Sequence, residues 1–188
     1  HSARAMKATE TARLSRCFFD IRDMGRTNAA GLYPYTPPVG LICGLKLACD
    51  YLLDEGLEAV FARHARIADG VRAAAAAWGL PLAARSPELY SQTVTALRTP
   101  AGFNATEIVT RAATVYDTAF GTGLGELAGK VFRFGHLGRM SDLTALSGLA
   151  VLEMCMVDLG LPIRLGSGVA AAQEVYRTTV ASPMKQAA

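Results

Sequence analysis

The side chains best suited to bind an anion are two hydroxyls on a proline-braced turn and one arginine in a phenylalanine-rich strand. Tyr33 and Thr36 lie in Gly31-Leu32-Tyr33-Pro34-Tyr35-Thr36-Pro37-Pro38-Val39. Each proline fixes its own φ near about −65° and pushes the residue before it toward an extended conformation, so the turn is preorganised. Leu41, Leu45, Ala48 and Leu52 recur at helical spacing after Pro38, a residue type suited to a first helical position. A helix N-terminus attracts anions, but Pro37 and Pro38 lack N–H donors, so an anion docking here would depend on the Tyr33 and Thr36 hydroxyls. The plainer alternative is that Thr36 caps the helix and the tyrosines pack, and from these residues alone it takes precedence, because short motifs often match by chance.

Arg133 lies in Val131-Phe132-Arg133-Phe134-Gly135-His136. In a strand, Phe132, Phe134 and His136 share one face and Val131, Arg133 and Gly135 the other, so core aromatics would anchor the strand while the guanidinium points away. A guanidinium matches a carboxylate with two parallel hydrogen bonds, which a lysine cannot reproduce. Taken alone, a solvated surface arginine is the default reading.

These residues need elements to hold them. The apolar helix from Pro38 is expected to run to about Leu53, with a break at Asp54-Glu55-Gly56. A longer helix follows, with Leu57, Val60, Phe61, His64, Ile67, Ala68 and Val71 inward, Arg63, Arg66 and Arg72 off the stripe, and a stop at Trp78-Gly79 before Pro81. His64 reads as a packed histidine bonded to a neighbouring carbonyl. A strand is expected over 91–98. Asn104 and Glu107 suggest a capping box opening a helix with Ile108, Val109, Ala112, Val115 and Tyr116 inward. Strands are then expected over 116–120 and 131–136, and a nearly all-round apolar helix over 141–159 ends at Gly160 and Pro162. Strand, helix, strand, strand, helix is an α+β pattern. Upstream, residues 2–13 read as a short helix, Cys17-Phe18-Phe19-Asp20-Ile21 as strand or extended, and 25–32 as a loop. A Gly166-Ser167-Gly168 hinge should precede a short helix reaching about Tyr176, and the last ten residues are expected to fray.

Gly123-Leu124-Gly125-Glu126-Leu127-Ala128 fits a G-x-G-x-x-A dinucleotide pattern, but the sequence runs on into another strand where that fingerprint needs a helix. The glycines read instead as a mobile connection between strands. The 188 residues are 51% hydrophobic with a mean hydropathy of +0.24, so excess apolar surface is expected. Nineteen basic against 16 acidic residues, without a run of like charge, argue against nucleic acid as a partner. No apolar run reaches the roughly 20 residues that span a bilayer, and no signal peptide is evident, so a soluble cytoplasmic protein without a membrane partner is expected. Cysteines 17, 43, 49 and 155 show no metal-ligand spacing and are expected as reduced, buried thiols.

Taken with Gly121-Thr122-Gly123-Leu124-Gly125, the stretch Gly129-Lys130-Val131-Phe132-Arg133-Phe134-Gly135-His136-Leu137-Gly138 and Arg164-Leu165-Gly166-Ser167-Gly168-Val169-Ala170-Ala171-Ala172-Gln173-Glu174, the proline turn and its helix resemble the class V aminotransferases. Within that family the likeness is to the bacterial serine:glyoxylate and aspartate:glyoxylate enzymes. Phe18-Phe19-Asp20-Ile21-Arg22-Asp23-Met24 with Tyr33 to Gly40 leans toward the aspartate-using branch.

The resemblance implies a pyridoxal 5'-phosphate (PLP) transferase of fold type I, an α/β fold, acting as a homodimer with shared active sites on small amino acids and 2-oxo acids. It implies that Tyr33 and Thr36 reach the cofactor phosphate of the neighbouring subunit, and that Arg133 holds the substrate α-carboxylate. It implies residues 1–55 as the end of the large PLP-binding domain, 56–80 as a bridging helix, and 81–188 as a small C-terminal α+β domain with its tail. The family's cofactor-carrying lysine, its stacking residue and the aspartate under the pyridine nitrogen would all precede position 1. Lys7, Lys46, Lys130 and Lys185 do not match that lysine motif. The expectation is the C-terminal half of a transaminase that moves an amino group from aspartate or serine to glyoxylate and that needs its other half to act. Alternatives are another fold-type-I PLP enzyme, such as a cysteine desulfurase or phosphoserine aminotransferase, or a non-catalytic α+β binding module.

Overall fold

The computed structural model describes residues 2–179, which fall into two compact units divided between Tyr51 and Leu52. In the first unit, α1 (Ala3–Thr11) is capped by Ser2, whose hydroxyl accepts from the Ala5 N–H at 3.2 Å. The extended segment expected over Cys17–Ile21 does not form. Phe18 takes a left-handed φ of 50°, and Asp20 caps α2 (Ile21–Ala29), its carboxylate accepting from the Arg22 N–H at 3.0 Å and pairing with the Arg22 guanidinium. The cap wins over the β preference of the aromatics, and it turns most of the loop expected over 25–32 into helix. The chain reverses at Gly31 (φ 74°) and enters α3 (Val39–Glu55) after the prolines. Pro38 stands one place ahead of the first helical residue and its carbonyl accepts from the Ile42 N–H at 3.1 Å.

The second unit is a three-stranded antiparallel sheet packed on helices. α4 (Leu57–Ala77) ends in a Schellman turn: Leu80 N–H donates to Ala75 O, Gly79 N–H to Ala76 O, and Gly79 takes φ 69°. Ile67, Val71, Ala74 and Ala75 are buried along it, whereas Leu57 and Phe61, expected inward, are exposed. Arg63, expected outside the stripe, is buried because Glu55 neutralises it and two backbone carbonyls solvate it.

The sheet comprises β1 (Val94–Arg98), β2 (Gly121–Thr122) and β3 (Val131–Gly135) in the order β1-β3-β2. β3 is central, with Arg133 opposite Ala96 on one side and Gly121 on the other. The strand expected over 116–120 is absent, because α5 (Ala105–Tyr116) stops at a left-handed Asp117 (φ 47°) and only Gly121 and Thr122 pair. Asn104 caps α5 through the Thr106 N–H at 3.0 Å, so the expected reciprocal box with Glu107 is replaced by a one-sided cap, and Val115, expected inward, is exposed.

α6 (Asp142–Asp158) opens on a Ser141–Thr144 capping box and closes at Gly160 (φ 81°). α7 (Ser167–Thr178) lies against α4 at two glycines: a Cβ on Gly70 would collide with the Tyr176 ring, and one on Gly168 with the Trp78 indole. Gly168 therefore serves close packing where a hinge was expected. The core of this unit is Phe132, Phe134 and Leu97 from the sheet against Ile67, Val71, Ile108, Leu149, Leu152 and Met156 from the helices. Of the tail expected to fray, 180–188 lies outside the described residues. No described helix is long and apolar enough to cross a membrane.

Candidate functional site

β3 presents its two faces as the alternation requires. Phe132, Phe134 and His136 are buried on the core side; on the other face Val131 is also buried, Arg133 is half-buried and Gly135 is exposed. Its Nε–H donates to the Thr122 carbonyl at 3.0 Å, and among the described residues its Nη1 and Nη2 make no hydrogen bond. A guanidinium tethered at one nitrogen, with its two terminal nitrogens open, is preorganised for a planar two-oxygen anion.

The proline turn behaves differently from its plainer reading. Tyr33 is 62% exposed and Thr36 is exposed, and neither hydroxyl bonds to another described residue, so Thr36 does not cap α3 and Tyr33 does not pack. Tyr35 is the structural tyrosine of the turn: its ring stacks on Phe18 at 4.8 Å and its oxygen accepts from the Phe18 N–H at 3.1 Å. Tyr33 and Thr36 thus share one turn in the first unit, and Arg133 belongs to the second.

Several supporting residues are not visible in the sequence. The loop that leaves β3 is gripped by adjacent residues of α4: Arg63 Nη1 donates to Gly138 O at 2.7 Å, and Gly138 N–H donates to His64 Nε2 at 3.1 Å. His64 Nδ1 lies 2.7 Å from Val60 O, so the ring donates at Nδ1 and accepts at Nε2, and the carbonyl bond expected for a packed histidine is present. Arg63 is held by both oxygens of Glu55, at 2.6 and 2.8 Å, and this guanidinium keeps the Glu55 carboxyl below its usual range. His136 is fully buried, with Nδ1 donating to Gln92 O at 3.1 Å and Nε2 accepting from Thr95 Oγ1 at 2.9 Å; burial lowers its pKa from 6.5 to about 4.

Glu153, which in sequence only interrupts an apolar helix, is 2% exposed and accepts from Trp78 Nε1 at 2.9 Å and from the Gly166 and Gly168 N–H groups at 2.6 Å each. It is a buried carboxylate seated on the N-terminus of α7, where the helix dipole favours a negative charge. The sequence shows Glu153 followed by a Gly-Ser-Gly helix start, but nothing in the spacing pairs the two.

The glycine stretch is not a phosphate cradle. Gly123 N–H donates to Val131 O at 2.8 Å, a Cβ there would run into the Leu127 carbonyl, and a single 3₁₀ turn at Gly125–Leu127 leads directly toward β3. The expectation of reduced buried thiols holds in burial only for Cys155; Cys17, Cys43 and Cys49 are exposed, the latter two on the uncovered surface of α3. Among the described residues no group of three His, Cys, Asp or Glu side chains could hold a metal ion.

No family model matches the chain. The L-aspartate–glyoxylate aminotransferase of Paracoccus denitrificans is 65% identical over 187 residues, covering all of this chain and 47% of that protein. The serine–glyoxylate aminotransferase of Hyphomicrobium methylovorum is 46% identical over 168 residues, 89% of this chain and 42% of that one. The solved structure of pyridoxamine-pyruvate aminotransferase from Mesorhizobium loti superposes with a TM-score of 0.80 at 34% identity, over 94% of this chain and 46% of that chain. The chain spans about half the length of the curated relatives it matches. With this likeness in sequence added to the shared fold, the chain belongs to the class V aminotransferases, of fold type I.

Proposed function

We propose that the chain is the C-terminal part of a PLP-dependent aminotransferase that moves an amino group from aspartate or serine to glyoxylate. The observation that carries this is the Arg133 guanidinium, tied at Nε with Nη1 and Nη2 open, in a chain so similar to glyoxylate aminotransferases. Both the amino donor and glyoxylate carry a carboxylate next to the reacting carbon. One arginine therefore positions each in turn, and orientation of this kind is worth up to about 7–11 kcal/mol of a barrier. A non-catalytic module is not favoured by these relatives.

The residues of the turn fit a phosphate. Two exposed hydroxyls without described partners, fixed ahead of a helix N-terminus, suit an acceptor-rich anion. Tyr33 and Thr36 would donate to the PLP phosphate of a neighbouring subunit in a homodimer. When bound, PLP supplies the electron sink for the amino transfer. Arg133 holds the substrate carboxylate, and the buried aromatics of β3 keep that strand rigid.

In this reading residues 1–55 complete the large domain, 56–80 bridge, and 81–188 form the small domain. A cytoplasmic location suits three exposed, unpaired thiols.

The test is cofactor retention in the intact protein. Losing two hydrogen bonds to a charged phosphate, at roughly 1.5–3 kcal/mol each, should raise the PLP Kd of the Tyr33→Phe/Thr36→Val variant by about a hundredfold or more with the fold unchanged. A Kd equal to that of the parent protein, by titration of the stripped protein with PLP, contradicts the phosphate role.

A further inference from the structure

We infer that Gly121 and Thr122 orient the Arg133 guanidinium so that it receives a carboxylate end-on, through Nη1 and Nη2. The inference rests on the reading of Arg133 as the carboxylate ligand and adds how that ligand is aimed. A guanidinium offers a carboxylate two forked edges, one formed by Nε and a terminal nitrogen, the other by the two terminal nitrogens. The Nε–H of Arg133 is committed to the Thr122 carbonyl at 3.0 Å, which removes the first edge.

The placement of that carbonyl is itself fixed. β2 is only two residues long, with Gly121 opposite Arg133 and Thr122 opposite Phe132. The next residue, Gly123, is held by its N–H bond to Val131 O at 2.8 Å and fills a space closed by the Leu127 carbonyl. The strip therefore cannot slide along β3 without breaking this turn.

Gly121 contributes by its lack of a side chain. A Cβ there would stand 3.0 Å from Arg133 Nε and 3.2 Å from its Cβ and Cζ, so the guanidinium lies directly over the glycine. The backbone at Gly121 is outside the left-handed region, so this glycine is required for space and not for conformation. On the opposite side Arg133 faces Ala96, the next smallest side chain, so the cross-strand neighbours leave the face beneath the guanidinium clear. Gly121 and Thr122 are positioning residues: they act through Arg133.

The experiment compares Gly121→Ala, Gly121→Val, Arg133→Lys and Arg133→Ala in the intact protein. It uses acetate as a carboxylate that carries neither an amino nor an oxo group. Binding is read by NMR on the ¹⁵N-labelled arginine side chains, with the Arg133 signal assigned by its loss in Arg133→Lys. In the parent protein the Arg133 Nε–H should exchange slowly with solvent and move little as acetate is added, while the terminal nitrogens respond. Gly121→Ala should weaken acetate about threefold and Gly121→Val about tenfold or more, with the PLP Kd unchanged and KM for both substrates rising ahead of any fall in kcat. An Nε–H that shifts as strongly as the terminal nitrogens overturns the end-on geometry. Parent-like acetate binding by Gly121→Ala and Gly121→Val overturns the positioning role, and if Gly121→Val does not fold, Gly121→Ala decides. If Arg133→Ala itself binds acetate like the parent protein, the underlying carboxylate reading fails; if only the Gly121 variants do, that reading survives without this inference.

Discussion

Arg133 and His136 leave neighbouring positions of the same chain segment toward opposite surroundings, and each is fixed by what it meets there. The arginine remains half-open, with a single backbone tether. The histidine is sealed in and stays neutral, both ring nitrogens satisfied by Gln92 O and Thr95 Oγ1. Its folded pKa of about 4 lies below the ordinary 6.5, so on acidification the unfolded chain takes up this proton first. The stability it confers is present above pH 6.5 and is lost as pH falls from 6.5 toward 4, by up to about 3 kcal/mol. His136→Gln should be less stable at neutral pH and show a flatter dependence of Tm on pH across that window; a slope equal to the parent's contradicts the assignment. At this scale the sequence was readable where the argument was local. The alternation along Val131 to His136 separates Arg133 from the phenylalanines without any knowledge of the fold. Gly121 and Thr122 were not readable as its support, because their role depends on a pairing across the intervening turn that no local spacing specifies.

At the scale of elements, the second unit is closed by a carboxylate as much as by apolar packing. Glu153 takes hydrogen bonds from Trp78 at the end of α4 and from the first N–H groups of α7, so one side chain joins three helices. Gly70 under Tyr176 and Gly168 under Trp78 let these helices approach, and neither position has room for a Cβ. Glu153→Ala would leave the indole and the backbone donors buried without an acceptor, and a loss of about 3–5 kcal/mol in denaturant unfolding is expected. Trp78, the one tryptophan of the chain, reports the change through its emission; a loss below about 1 kcal/mol would contradict the role, since that is the level of an ordinary exposed substitution. Helix ends written in glycine and proline, such as Gly79 before Pro81 and Gly160 before Pro162, were legible. The segment Cys17–Ile21 was not, because the side-chain cap of Asp20 and the left-handed Phe18 override the β preference of its aromatics.

At the scale of the whole molecule, the conspicuous feature is α3, a 17-residue helix without a buried residue although Leu41, Leu45 and Leu53 are among its largest side chains. The composition anticipates such excess apolar surface, and a contiguous apolar face of this kind marks an interaction surface. The proposed homodimer, with the Tyr33–Thr36 turn directly ahead of this helix, supplies a reason. The 188-residue chain alone should therefore sediment as species heavier than its 19.9 kDa, and Leu41→Lys with Leu45→Lys should shift it toward monomer. A monodisperse monomer at micromolar concentration contradicts this. Which residues of the first unit meet a neighbour could not be read from sequence: Leu41, Leu45, Ala48 and Leu52 recur at helical spacing, but that spacing does not say whether a core or a second copy covers them.

The central claim is that Arg133 grips a carboxylate common to both substrates, and steady-state kinetics of Arg133→Ala in the intact enzyme tests it most directly. The account predicts that KM for the amino donor and for glyoxylate both rise by roughly tenfold to a hundredfold, while PLP stays bound as in the parent protein. KM values for both substrates that stay at those of the parent enzyme would contradict it.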